Sequence, residues 1–471
     1  GLIRMNERRR LIKNTGIIAI GNISTKLVSF FLLPLYTAVL STAEYGAYDY
    51  IISIATFCVP FVSVLMDESI FRFLIDCKTE LDKKKIISTA VMIVAVGMTL
   101  FTVLGIPIME GLHYSYTVYA IIYILLNVIC GMLSALLRGI GRTDQFAFFN
   151  FLLGSLQIVL NVVFIAVLKL GLQGMLLASI LAQLIVATIF VLKIKLWKFI
   201  NIKCVEISLA KEMIVYSFPL IPNKVSWTII NLSDRIILMN MIGSEATGLY
   251  AVSYKFPNLM DTVYGFFYQS WKESSARVLG GESQDEFYNS VYEYLKNFLF
   301  SIVLGMIAFM PIVFRILINK NYYSAIYYVP ILLLATYFAN ISGFYGGIFT
   351  AYKDTKIMGT TTVVAAIINL AVNIIMIRSL GIYAAAISTL VANFTVYIYR
   401  RIKVGKYIKL KENWKNRIVS LIICVLIIIL FYVQSKTSII VGCIVSICYA
   451  LIVNFNVIRF ILIKSELKSR K

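Results

Sequence analysis

The sequence predicts an all-α polytopic membrane protein of about fourteen transmembrane helices, built as two pseudo-symmetric six-helix lobes and a two-helix carboxy-terminal appendix. Three observations carry that prediction. The 471-residue chain is 60% hydrophobic and 14% charged, with a mean hydropathy of +0.86, whereas soluble domains carry roughly 25% charged residues. Apolar stretches of about 20 residues, the length that crosses a bilayer, recur along the whole chain between short charged or glycine-containing breaks. With the amino terminus assigned to the cytoplasm, 35 Lys and Arg fall on that side of the breaks and 5 on the other. That is the bias that orients membrane proteins.

The spans follow in order. Those at 14–39, 45–66, 86–109, 116–137, 146–168 and 172–192 make an N-lobe over 1–197, and a basic segment at 198–212 links it to the next lobe. Spans at 213–241, 247–271, 295–318, 325–350, 357–377 and 381–399 make a C-lobe over 213–400. The appendix, 401–471, holds spans at 418–433 and 438–458. Reading through the weak breaks at 169–173 and 378–382 would leave twelve spans; either even count puts both termini in the cytoplasm. The basic flank 1–13 runs straight into a full-length first span, so no cleavable signal peptide is expected.

Two lobes are expected because the chain resembles itself at an offset of a little over 200 residues. "LKLGLQGMLLASILAQ" (168–183) aligns with "RSLGIYAAAISTLVAN" (378–393), pairing Gly171 with Gly381 and Gln183 with Asn393. "LSTAEYGAYDYI" (40–51) resembles "IGSEATGLYAVS" (242–253), pairing Gly46 with Gly248. Six spans separate the equivalents, so the repeats are parallel about an axis along the membrane normal.

Charge and cysteine content exclude other classes. The net charge of +21 is distributed by topology rather than in a patch that would bind nucleic acid. "RRIKVGKYIKLKENWK" (400–415) reads as a solvated, orientation-setting face, with an anionic-lipid contact as the alternative. The seven cysteines have no paired spacing and read as small core hydrophobes. His113, the one histidine, sits in a short outer turn, and no metal site is expected.

Charged side chains inside spans are costly and usually face a bundle interior or aqueous cavity. Four basic residues fall within spans: Lys26, Lys224, Arg235 and Lys255. In span 7, Ser217, Lys224, Asn231 and Arg235 recur at helical spacing beside Asp234, and Pro219 and Pro222 should bend the helix. Span 1 carries Thr15, Asn22, Lys26 and Ser29 on one face. Span 2 carries Asp49, Ser53, Thr56, Ser63 and Asp67, and span 8 carries Lys255, Asn258 and Thr262 beside Asp261. If these spans line a cleft between the lobes, Lys26, Lys224, Lys255 and Arg235 make it cationic. The bland alternatives are that Arg235 pairs with Asp234 or snorkels outward, and that Asp261 or Asp49 neutralises Lys255. Asp67 and Arg72, at the cytoplasmic end of span 2, form a gate or a solvated end. The pairs Gln157/Asn161 and Asn369/Asn373 are expected to make interhelical hydrogen bonds.

A wide cationic cleft suits a pyrophosphate-linked sugar, and here a resemblance adds to the residues. "SFPLIPNKVSWTIINLSDRIILMNMIGSEATGLYAVSYKFPNLM" (217–260) and "NTGIIAIGNISTKLVSFFLLPLYTAVLSTAEYGAYDY" (14–50) are similar to the corresponding helix pairs of Wzx-type polysaccharide flippases, which belong to the multidrug/oligosaccharidyl-lipid/polysaccharide exporter superfamily. The resemblance implies a non-enzymatic transporter of the bacterial cytoplasmic membrane. Such a protein moves an undecaprenyl-pyrophosphate-linked oligosaccharide from inner to outer leaflet by alternating access, for capsule or O-antigen type polysaccharide. Lys26, Lys224 and Lys255 would then attract the pyrophosphate, Asn231 and nearby tyrosines would contact sugar, and Arg235, Asn22 and Asn258 would complete the substrate-binding cavity. Asp49, Asp234 or Asp261 would bind a coupling Na+ or H+, with no other cofactor. Membrane lipids, a polysaccharide polymerase and a chain-length regulator are the expected partners. The alternatives are a peptidoglycan lipid-precursor flippase, which nothing in the sequence separates from this reading, and a multidrug/cation antiporter, which should carry unpaired acids in its cleft. A membrane polymerase ranks below them because every outer connection is short.

Overall fold

The structure, a computed structural model, describes residues 30–459 apart from 76, 78, 112–115, 219, 283, 353, 355 and 456–458. Most of span 1 therefore lies outside the described residues, and its last turns are α1 (Leu33–Val39). Helix α2 (Thr42–Ser63) starts on a capping box: the Glu44 N–H donates to Ser41 Oγ at 3.2 Å and the Ser41 N–H to the Glu44 carboxylate at 2.9 Å. Each satisfies a backbone donor that the first turn leaves open.

Span 2 was expected to run unbroken to 66, and it does not. Val64 and Leu65 take φ of 49° and 50°, and the chain re-enters helix as α3 (Met66–Ile75). Left-handed backbone costs a non-glycine residue roughly 1–2 kcal/mol, so the break must be held by its surroundings. The Leu65 N–H donates to Ser63 Oγ at 3.1 Å. Helix α4 (Glu80–Gly111) passes so near that a Cβ on Gly97 would collide with the Val62 carbonyl oxygen.

The first half continues with α5 (Thr117–Gly139), α6 (Thr143–Asn161) and its π-helical extension Val162–Val167, and α7 (Gly171–Ile194). Span 7 is divided into α8 (Ile207–Ser217) and α9 (Leu220–Met241), with the chain leaving α-helix at Phe218, beside the expected proline pair. Then come α10 (Ser244–Val278), α11 (Gln284–Leu317), α12 (Val329–Ala351) behind a 3-10 segment, α13 (Lys356–Leu380), α14 (Ile382–Val404), α15 (Trp414–Val433) and α16 (Lys436–Val453). Among the described residues, eleven helices are long and apolar enough to cross a membrane, and the protein is a multi-pass membrane protein. Helices α9 and α10 have 22 and 35 residues but are too polar to be among the eleven.

The internal repeat has a structural basis. Gly171 and Gly381, matched by the sequence, open α7 and precede α14 with φ of 54° and 56°. Both weak breaks are therefore real turns that need a residue tolerant of positive φ. Gln157 Nε2 donates to Ser179 Oγ at 3.3 Å between α6 and α7, and Asn369 Nδ2 donates to Ser388 and Thr389 hydroxyls at 3.4 and 3.3 Å between α13 and α14. In each half a side-chain amide of one helix donates to a hydroxyl of the next, and the acceptors Ser179 and Thr389 are matched by the repeat.

The chain forms two compact units, Gly1–Met239 and Asn240–Lys471. The division falls within the last turn of α9, so most of span 7 packs with the first unit. Two contacts explain this: Ser69 Oγ on α3 donates to the Met213 carbonyl on α8 at 2.8 Å, and Arg235 on α9 pairs with Asp49 on α2. The core of the first unit is aliphatic and aromatic around Met66, Ile70, Leu137, Phe149, Phe190 and Met213. That of the second is unusually aromatic: the Trp271 ring stacks on Phe344 at 4.4 Å and its Nε1–H donates to the Phe344 carbonyl at 2.9 Å.

Candidate functional site

In the first unit the predicted site residues fall into two groups. Near the end of α9, Arg235 Nε lies 2.6 Å from an Asp49 carboxylate oxygen on α2, and the two side chains are only 10% and 16% exposed. Arg235, expected to help make the cleft cationic, is buried in an ion pair with an acid 186 residues away. Asp49 in turn is engaged by that guanidinium. A buried guanidinium needs a compensating charge, and the Asp49 carboxylate on α2 provides one. Asp234 is itself buried.

The second group gathers at the break between α8 and α9. Lys224 is exposed one turn into α9. Asp67 opens α3 just past the α2 break and is half-buried. Burial pushes its carboxyl above the ordinary value, while backbone N–H groups and the charges of Lys224 and Arg138 pull it down. The predicted gate acid and the predicted cavity lysine thus share one electrostatic neighbourhood. The Arg138 guanidinium, which no sequence argument singled out, lies 4.2 Å from the centre of the Phe71 ring. Arg72 is exposed on α3.

In the second unit, α10 presents Lys255 half-buried, with Asn258 and Asp261 exposed on the following turns. Asn231 falls on α9. Lys26 and Asn22 lie outside the described residues.

The sequence missed a cluster in the second unit. Glu412 is the one acid in the basic stretch 400–417. Lys296 Nζ on α11 reaches it at 2.5 Å, the Tyr292 hydroxyl donates to it at 2.6 Å, and Arg401 lies at 3.9 Å. Burial works to raise the Glu412 carboxyl, but the hydrogen bonds from Lys296 and Tyr292 and the charges of Lys296 and Arg417 outweigh it and hold it below the ordinary value. Arg400 is 2% exposed, and its guanidinium donates to Thr361 Oγ1 and to the carbonyls of Ser342 and Met358. Arg417 donates to the hydroxyls of Tyr337 and Tyr397 at 2.9 and 3.2 Å. The segment read as a solvated face is therefore strapped onto α11, α12 and α13, while Lys403, Lys406, Lys409, Lys411 and Lys415 stay exposed. A lone acid within a run of bases was the available signal.

Comparison with known proteins adds the following. Residues 11–271 match the family model described as polysaccharide biosynthesis protein. The chain is 26% identical over 225 residues to an uncharacterized membrane protein of Methanocaldococcus jannaschii, an alignment covering 45% of this chain and 44% of that protein, so it spans less than half the length of this curated relative. Among solved structures, it is similar to the lipid II flippase MurJ in an inward closed conformation, with a TM-score of 0.70 at 13% identity over 94% of this chain and 99% of that one. It is also similar to an inward-facing multidrug resistance MATE family transporter of the MOP superfamily, with a TM-score of 0.66 at 15% identity over 82% and 98%. A MOP superfamily transporter from Pyrococcus furiosus, whose binding pocket is described as of reversed polarity, gives a TM-score of 0.54 at 15% identity over 84% and 95%. At these identities the likeness is one of fold.

Proposed function

The chain belongs to the polysaccharide biosynthesis protein family, and from that premise we propose that it is a flippase carrying an undecaprenyl-pyrophosphate-linked oligosaccharide from the inner to the outer leaflet of the bacterial cytoplasmic membrane by alternating access. One observation carries the reading beyond the family. Helices α9 and α10 are long enough to span, yet too polar to count among the membrane-crossing set. A spanning helix of that kind needs a face on protein or on a water-filled path. Among the described side chains, the exposed polar groups on those helices include Lys224 and Asn240 on α9 and Glu245, Asn258 and Asp261 on α10.

In this reading Lys224, with Lys26 and Lys255, attracts the pyrophosphate, and Asp67 holds Lys224 until substrate displaces it. Asn22, Asn231 and Asn258 contact sugar. Asp234 or Asp261, or Asp49 when it parts from Arg235, would bind a coupling Na+ or H+. Part of the driving force needs no ion: each negative charge leaving a cytoplasm held 100 mV negative gains roughly 2.3 kcal/mol. Capsule or O-antigen type polysaccharide is the proposed destination, with polymerase and chain-length regulator as partners.

The test is the leaflet distribution of lipid-linked oligosaccharide in cells lacking the protein, then in cells carrying wild type, Lys224→Ala or Lys224→Arg. Inner-leaflet accumulation relieved by wild type and Lys224→Arg but not by Lys224→Ala is the expected result. Normal outer-leaflet delivery without the protein would overturn the proposal. Accumulation of the peptidoglycan precursor instead would reassign the substrate.

A further inference from the structure

A notch on the second unit, away from every residue assigned above to substrate, has the chemistry of an anion site. It lies where α11, α15 and α16 meet, and its wall includes Lys296, Lys411, Arg417, Asn297, Asn413 and Asn416, with Glu293 as the one acid among its lining residues. The cations outnumber the acids even when the neighbouring cluster is counted. Glu412 is already saturated by Lys296, Tyr292 and, more weakly, Arg401. Arg417 is only partly exposed and spends two of its nitrogens on the neutral hydroxyls of Tyr337 and Tyr397. Lys411 is exposed at the rim, its backbone N–H fixed to Asn289 Oδ1 at 2.6 Å.

Size decides the class of ligand. The notch has about 20 Å³ of room, enough for little more than one water molecule. A sugar or a nucleotide is too large, and one or two oxygens of a phosphate group fit. Position narrows it further. Trp414, the first residue of α15, is 69% exposed at the edge of an apolar span, the place where aromatic residues mark the membrane surface. The charge bias of the sequence assigns this end to the cytoplasm, and basic pockets between transmembrane helices on that side suit anionic headgroups.

We infer that the notch formed by Lys296, Lys411 and Arg417 binds a phosphate oxygen, supplied by the headgroup of an anionic phospholipid of the cytoplasmic leaflet or by a free phosphate ion. Occupancy would join the α15–α16 appendix to α11 through the ligand as well as through Glu412.

The experiment uses the full chain in nanodiscs of phosphatidylcholine, with or without phosphatidylglycerol, and counts co-purifying lipid by native mass spectrometry while following the thermal midpoint. Inorganic phosphate is titrated in a separate arm. Lys411→Gln is compared with Lys403→Gln, an equally exposed lysine of the same segment that does not line the notch. Retention of phosphatidylglycerol over phosphatidylcholine, weakened about fivefold by Lys411→Gln but not by Lys403→Gln, supports the site with lipid as the source. Stabilisation by millimolar phosphate without lipid preference, lost in Lys411→Gln, supports it with the free ion as the source. Equal effects of the two substitutions would reveal only a diffuse basic surface and overturn the proposal, as would no response in either arm.

Discussion

Removing one member of the Asp49–Arg235 pair should be among the most destabilising single substitutions in the first unit. The two groups are 2.6 Å apart and their side chains are 10% and 16% exposed, so solvent screens them little. An exposed ion pair contributes about 0–1 kcal/mol, whereas truncating one partner of a buried pair costs about 3–5 kcal/mol, because the remaining charge stays buried without compensation. Asp49→Asn keeps the shape and removes the charge, and is expected to cost about 3 kcal/mol. Asp49→Leu with Arg235→Met removes both charges and should return to within about 1 kcal/mol of wild type, since replacing a whole buried pair by apolar side chains is often neutral. A double-mutant cycle on unfolding in mixed micelles, followed by tryptophan fluorescence, isolates the coupling. If Asp49→Asn costs less than about 1 kcal/mol and the cycle shows no coupling, the pair behaves as a surface pair and the argument that α9 is tied to the first unit by charge fails.

Three further expectations follow from local geometry. Gly97→Ala places a Cβ against the Val62 carbonyl, a backbone atom that cannot swing aside. It should cost about 1–3 kcal/mol through overpacking and lower the thermal midpoint. Gly105→Ala, whose Cβ would meet only the Phe101 ring at 3.7 Å or more, is the control. Gly171→Ala and Gly381→Ala force a side chain into φ near 55° and should each cost about 1–2 kcal/mol, while Gly305→Ala, in open space on a helix, should gain from helix propensity. The Glu412 carboxyl is held below its ordinary value in the folded chain. Its contribution is therefore complete above the unfolded value of about 4.3 and is lost as pH falls below it through the lowered folded value. Proteolysis of the 405–413 segment should accelerate over that acid window in the wild type. Glu412→Gln should already be susceptible at pH 7, with little pH dependence of its own, and a wild-type segment equally protected on both sides of the window would contradict the strap.

Much of the fold was legible because its causes are local. Span length, the glycines at 171 and 381 and the interruption beside the 219–222 proline pair follow from bilayer thickness, backbone sterics and a missing N–H, all of which act within a few residues. The break at Val64–Leu65 was not legible, because neither residue favours positive φ. What accompanies it there is a bond from Ser63 and the passage of Gly97 beside Val62, and the second comes from a distant helix. Helix periodicity likewise put Arg235 and Asp49 on polar faces of their helices, but could not show that they face one another.

The repeat supplied the long-range information the sequence did contain, and its limits explain which site residues were misread. Because Gly171 and Gly381 both make a positive-φ turn, one in each half, sliding the chain over itself could align the helices that follow them. Among the described residues, no second pair matches Asp49–Arg235 or Lys296–Glu412. A contact that joins span 2 to span 7, or span 9 to the unrepeated appendix, leaves no trace in self-comparison. Yet charges that differ between two otherwise similar halves are what would let a pseudo-symmetric protein hold a substrate with distinct ends. The residues hardest to place from the sequence are therefore the ones most able to break its symmetry, and of the lysines within predicted spans, Lys224, on α9 beside the one-sided Asp67–Arg138 neighbourhood, is the first to substitute.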